Sequence, residues 1–291
     1  MHIPWWGIVP FVALLACIAT FPLMPLTRHL WEKRPFQLAV ALTFGLPVGF
    51  WIWLGGDSTS VVHALVEYAQ FIVLLLSLFV VSGGIHVAGD LKARPETNVI
   101  FLVIGAVLAS LVGTTGAAML LIRPLLKTNA ERENKVQTVV FAILVIANCG
   151  GLLTPLGDPP LFLGLLRGVP FLWTLRLLPE WLFTNGLLIL TYWALDRRAY
   201  AKESLEALAK DETEVRPLKI VGKGNLLGFA LIIGAVALLP SVDLHAVHQG
   251  HAAWYGYLPV RELVMLAVAI ASLKLGDKAL RWERNHFSWG P

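Results

Sequence analysis

The sequence predicts an all-α integral membrane protein, folded as a polytopic helical bundle. Three observations carry that prediction. Of 291 residues, 57% are hydrophobic and only 14% charged, with a mean hydropathy of +0.70, whereas a soluble domain carries about 25% charge. Apolar runs approaching the roughly 20 residues of a bilayer-spanning helix recur along the chain. Lysine and arginine gather on alternate connections between those runs, the pattern expected of loops sorted across a membrane.

The runs, in order, are Trp5–Leu26, Phe36–Leu54, Ala64–Val81, Val99–Leu126, Val136–Leu166, Trp181–Leu195, Leu226–Pro240 and Val260–Leu275. The first lacks a basic leader and is too long for a signal-peptide core, so it reads as a retained membrane helix with Trp5 and Trp6 at headgroup level. The basic connections are "TRHLWEKRP", "GDLKARPETN", "KTNAERENK", the stretch from Asp196 to Lys223 and the residues after Leu273. By the positive-inside rule these are cytoplasmic, and the basic-poor connections at 55–63 and 240–259 are external.

That assignment places Lys92 and Arg94 on the same side as Lys127, Arg132 and Lys135, with one hydrophobic run between them. A single crossing cannot do this. The run carries a break at "GTTGAA" (113–118), and each arm is short. Short apolar segments of that kind suit a re-entrant element. We therefore expect a helical hairpin over about 99–126, turning at Gly113–Gly116 with Thr114 and Thr115 at its tip.

The next run contains "NCGGLLTPLGDPPLFLG" at 148–164. Pro155, Pro159 and Pro160 remove donors and clash with the preceding turn, so the helix cannot continue. Irregular backbone at membrane depth persists only where protein or a watery cavity surrounds it. The expectation is a broken helix over about 136–166, unwound in its middle. A hairpin tip and an unwound helix at one depth are the components of a midplane transport site.

Asp158 is the most informative residue, because an ionisable group within a span costs about 2.5–3.5 kcal/mol and marks function by default. Its carboxylate, the Thr154 hydroxyl and carbonyls freed by the prolines offer hard oxygen ligands. One such group can exchange a proton for a small cation. The plainer alternative is that Asp158 only caps the following half-helix. Gly150 and Gly151 allow close backbone approach or form a small-residue packing face. Arg123 reads as snorkelling to the interface, and Glu67 as interfacial. His86 and Asp90, four apart, suit a pair on one helix face or a helix end. His245, His248 and His251 in an external loop are weak zinc ligands by spacing. Cys17 and Cys149 read as buried, inert thiols.

Other function classes find no support. The net charge of +4 lies on membrane loops without a nucleic-acid-binding motif, and no zinc-protease, nucleophile-elbow or P-loop signature occurs. The charged stretch 196–219 reads as a solvated connector.

"GTTGAAMLLIRPLL" followed by "ANCGGLLTPLGDPP" resembles the ion transporter superfamily, and within it the sodium/proton antiporters of the citrate-transporter-like group, related to the NhaD-type antiporters. The resemblance covers about residues 1–200 and implies two inverted repeats, each with a hairpin and an unwound helix, usually in a homodimer in the cytoplasmic (inner) membrane. It implies an ion site at Thr114, Thr115, Asn148, Thr154, Gly157 and Asp158, with Asp158 and Thr154 on Na⁺. Na⁺ and H⁺ are then transported ions, with no cofactor and no enzyme activity. Dicarboxylate carriers of the superfamily have Ser-Asn-Thr at the tip and Thr where Asp158 stands, so these residues tilt toward cation/proton exchange over carriage of citrate or another small carboxylate. The expected division is a first repeat at 1–195, a cytoplasmic linker at 196–223 and opening helices of an incomplete second repeat at 224–291. A non-transporting scaffold or truncated fragment is the alternative of another class. The expected partners are the lipid bilayer and small ions or carboxylates, and no nucleic acid.

Overall fold

In the computed structural model, which describes residues 4–213, 215–242, 244, 247 and 254–289, helix forms over every apolar run. The bundle is all-α apart from one two-stranded ribbon. Among the described residues, four helices are long and apolar enough to cross a bilayer: Arg34–Leu54, Ser58–Gly83, Pro95–Val112 and Val136–Leu153, the last including a 3-10 turn.

The chain divides into two compact units, residues 1–68 and 69–291. In the first, α1 (Val9–Thr20) and α2 (Pro25–Trp31) are bent by 100°. The apolar run from Trp5 to Leu26 is thus broken near its end rather than continuous. Pro25 forces Met24 into an extended conformation (φ −82°, ψ 128°) and restarts the helix as its first residue. A cluster of Phe21, Trp31 and Phe36 fills the bend, with ring centroids 5.7–6.5 Å apart. Helix α3 (Arg34–Leu54) packs beside α1, and Trp6 meets Trp51 at 5.2 Å. None of these helices buries a residue, as expected of surfaces solvated by lipid rather than water. The first residues of α4 (Ser58–Gly83) complete this unit.

The second unit contains the rest of α4 and the core. The residues at 86–90 form strand β1 (His86–Asp90), so His86 and Asp90 do not share a helix face. Helix α4 has already ended at Gly83. Helices α5 (Pro95–Val112) and α6 (Thr114–Thr128) form the hairpin, with arms a few residues longer at the base than expected. Gly113 alone makes the turn, at φ 81° and ψ 152°, a conformation that favours glycine. The expected turn through Gly116 is narrower than drawn, since Gly116 is already helical.

Helix α7 (Val136–Val145) gives way to a 3-10 turn at Cys149–Leu153, a hydrogen-bonded turn over 154–157, and α8 (Pro159–Leu166). Pro159 and Pro160 occupy the first two helical positions, where a missing N–H costs nothing. Helix α9 (Leu178–Tyr200) covers this broken element. The charged stretch beyond it is more ordered than a solvated connector. It forms α10 (Leu205–Thr213) and β2 (Arg216–Val221), and β2 pairs antiparallel with β1, His86 opposite Val221. Helices α11 (Gly224–Leu238) and α12 (Val260–Leu275) follow. The three loop histidines at 245, 248 and 251 lie outside the described residues. The core runs through Leu74, Leu78, Leu102, Ala106, Val145 and Phe162, all 4% exposed or less.

Candidate functional site

The hairpin is closed at its base by a buried polar cluster. Asn98 on α5 and Asn129 after α6 exchange side-chain amide hydrogen bonds, both 2.8 Å long. Arg132 reaches Asp196 on α9 at 2.8 and 3.0 Å, and Gln137 on α7 donates to the same carboxylate at 2.9 Å. Glu203 accepts the backbone N–H groups of Glu133 and Asn134 at 2.9 and 3.0 Å. Burial opposes charge on both Arg132 and Glu203. The hydrogen bond and charge of Asp196 outweigh it at Arg132, whose guanidinium is held above its ordinary range. At Glu203 the two backbone N–H donors and Arg132 win, and the carboxyl titrates below the usual range. The base is therefore rigid, and the tip is presented from a fixed footing.

At the tip, hairpin and broken helix meet backbone to backbone. The Thr114 N–H donates to the Gly157 carbonyl at 3.3 Å. A Cβ on Gly113 would stand 3.3 Å from the Leu156 carbonyl. A Cβ on Gly151 would stand 2.7 Å from the Gly157 carbonyl, and one on Gly157 would overlap the Gly151 carbonyl. Gly150 packs as closely on α5, where an added Cβ would lie 2.8 Å from the Ala106 Cα. These two glycines thus serve close packing, Gly151 against the tip and Gly150 against the helix below it.

Unwinding frees carbonyls, and each neighbouring element supplies a donor for them. Ser110 on α5 donates to the Gly150 carbonyl at 2.5 Å and accepts the Leu153 N–H at 3.2 Å. Trp181 and Asn185 on α9 donate to the carbonyls of Gly150 and Cys149, at 2.9 and 3.3 Å. Thr174 donates to Leu153 at 2.9 Å. Sequence reading did not find these residues. A lone serine in an apolar helix and a tryptophan near a helix start carry no local signal for what they bond across the fold.

Of the six residues expected at the site, four line one cavity of about 400 Å³: Thr114, Thr115, Gly157 and Asp158. Two do not. The Thr154 hydroxyl donates to the Ser110 carbonyl and accepts the Leu156 N–H at 3.2 Å, so it braces the turn that follows it. Asn148 is exposed at the start of the 3-10 turn, away from the cavity lining. The Asp158 carboxylate makes no capping hydrogen bond to α8, although the residue stands at its N-cap. Its backbone carbonyl accepts the Leu161 and Phe162 N–H groups, while the side chain lines the cavity. A second cavity of about 380 Å³ between α6 and α7 shares Thr114 and Thr115 with the first, placing the threonine pair between the two spaces.

Arg123, on the far arm of the hairpin, does not simply snorkel. It donates to the Arg284 carbonyl and to Asn285 Oδ1, each at 3.2 Å. Asn285 also meets His86 Nδ1 at 2.8 Å and donates to the carbonyls of Gly83 and Ile85. The segment after α12 is thus fastened to the end of α4, and it carries Trp289 into the lining of the first cavity. Both thiols, Cys17 and Cys149, are free and partly exposed.

The model of a family described as "Putative citrate transport" matches residues 1–291. No curated protein and no solved structure matches the chain.

Proposed function

We propose that this chain, which belongs to the citrate-transport family, is a secondary transporter that exchanges Na⁺ for H⁺ at Asp158 across the cytoplasmic membrane. One observation carries the reading. A carboxylate free of the helix it precedes shares a cavity with the Thr114 and Thr115 hydroxyls, where two interrupted helices meet. Half-helix ends, the two threonine hydroxyls and a carboxylate would form a coordination environment for a hard cation. The same oxygen holds a proton when the cation leaves, so occupancy by one excludes the other. The Thr114 and Thr115 hydroxyls, on the lining of both cavities, would be the cation's further oxygen ligands.

Family membership favours a second reading, a cation-coupled carrier of citrate or a similar carboxylate. The cavity argues for the first: Asp158 is the one ionisable side chain in its lining among the described residues, and a carboxylate repels an anionic substrate. A homodimer is the assembly that the resemblance implies.

The test uses everted membrane vesicles carrying the protein and a pH-sensitive dye quenched by respiration. Added Na⁺ should dequench the dye, and Asp158→Asn should abolish the response while the protein still reaches the membrane. Dequenching by citrate alone would select the carboxylate carrier. A full response from Asp158→Asn would end the proposal.

A further inference from the structure

The cavity around Asp158 is much larger than a bare metal ion requires. At about 400 Å³ it falls within the range of small-molecule sites, roughly 300–1,000 Å³. Its lining is mostly apolar, and four rings contribute to it: Phe71 and Phe79 from α4, Phe162 from α8 and Trp289 from the segment after α12. Two links hold the rings in place. Phe71 and Phe162 have centroids 6.3 Å apart. Phe79 stacks on Phe287 at 4.9 Å, and Phe287 in turn meets Trp289 at 5.3 Å. Phe287 is itself 4% exposed and backed by Arg281 at 5.3 Å, so the indole stands on a buried support.

A single carboxylate, several aromatic rings and a volume of this size are together the chemistry that recognises an organic cation. Cations bind aromatic faces by cation–π attraction, and quaternary ammonium groups are recognised this way. An anion would be repelled by the ionised carboxylate, and a neutral ligand would gain no charge pairing from it. The Arg261 guanidinium stands 5.6 Å over Phe162, and Phe71, Phe79 and Trp289 contribute the other rings of the lining.

We propose that this cavity binds an organic ammonium ion, its charge paired with Asp158 and its alkyl groups seated against Phe71, Phe79 and Trp289. The proposal rests on reading Asp158 as the cation-binding carboxylate. It adds a ligand class that Na⁺/H⁺ exchange does not need.

The test is calorimetric titration of the purified full chain with tetraethylammonium and with choline, beside 3,3-dimethyl-1-butanol, the uncharged isostere of choline. Saturable binding of both cations is expected, with Na⁺ competing and the alcohol at least tenfold weaker. Asp158→Asn should weaken tetraethylammonium at least tenfold. Trp289→Leu should weaken it several-fold, and Trp289→Phe, which keeps a ring face, should recover most of that loss. Equal binding of choline and its isostere, or unchanged binding to Asp158→Asn, would overturn the proposal. If Na⁺-driven dequenching is intact but tetraethylammonium does not bind, this inference alone fails. If Asp158→Asn changes neither response, the reading of the site fails with it.

Discussion

The N–H of Thr114 and the carbonyl of Gly157, 43 positions apart in the chain, meet at 3.3 Å and join the hairpin tip to the helix break through backbone alone. Such a joint tolerates no side chain at the crossing. Gly157→Ala would drive a methyl group into the Gly151 carbonyl. Overpacking of this kind costs about 1–3 kcal/mol. We expect a lower melting temperature in detergent and loss of Na⁺-dependent dequenching. A Gly157→Ala protein with unchanged melting would show that the Gly151 carbonyl does not pack against Gly157.

Ser110 and Trp181 both donate to the Gly150 carbonyl. Ser110→Ala would also strip the Leu153 N–H of its acceptor. Leaving a buried backbone group unsatisfied costs about 1–3 kcal/mol. Trp181→Phe removes one donor and keeps most of the packing, so its cost should be smaller. Because the two residues share an acceptor, the double substitution should cost more than the sum of the two singles. Strict additivity in thermal or denaturant unfolding would show that they act on different groups.

How much of this was legible beforehand follows from what kind of interaction each feature depends on. Pro155, Pro159, Pro160 and Gly113 act on their own backbone, so the helix break and the hairpin turn could be read directly. Asp158 announced itself by its cost in lipid. The brace at Thr154 could not be separated from a ligand role, because a hydroxyl serves either and the choice depends on Ser110, 44 residues away. The β1–β2 ribbon was illegible for a similar reason: Arg216–Val221 is mostly exposed and has no apolar alternation to mark it as a strand. Trp289 reaches the cavity only because Asn285 and Arg281 anchor its segment to α4, a tertiary fact with no local pattern.

Acid should loosen the hairpin base. The Glu203 carboxyl titrates below its ordinary value of 4.5, so it favours the folded state wherever the unfolded chain is already ionised. That contribution is complete above the unfolded-state value and disappears as pH falls through the lower folded-state value. Melting temperature should therefore be flat near neutrality and drop below about pH 4.5. Glu203→Gln should melt lower at neutral pH and show a shallower acid dependence. An identical acid profile for this variant would assign the loss to another group.

Arg281 offers the most direct control over the cavity from a distance. Its guanidinium is 2% exposed, donating to the Val80 carbonyl and to the carbonyl and hydroxyl of Ser272, the latter two at 3.1 and 2.7 Å. Burial pulls its pKa below the ordinary arginine value, yet arginine has range enough to stay charged. Arg281→Met fills the space but takes the guanidinium donors from Val80 and Ser272, and Arg281→Lys, lacking the planar fork, cannot replace them all. Both should lower the melting temperature, the methionine variant by more. Both should also release the Phe287–Trp289 arm and raise the accessibility of the indole to iodide or acrylamide quenching, with Trp289→Phe as the blank that isolates its signal. The Asp158 side of the cavity is built by α4 and α8 and should persist. Stronger quenching of Trp289 with dequenching by Na⁺ retained is thus the expected pattern. If Trp289 quenching is unchanged in Arg281→Met, the buried guanidinium does not anchor the aromatic wall.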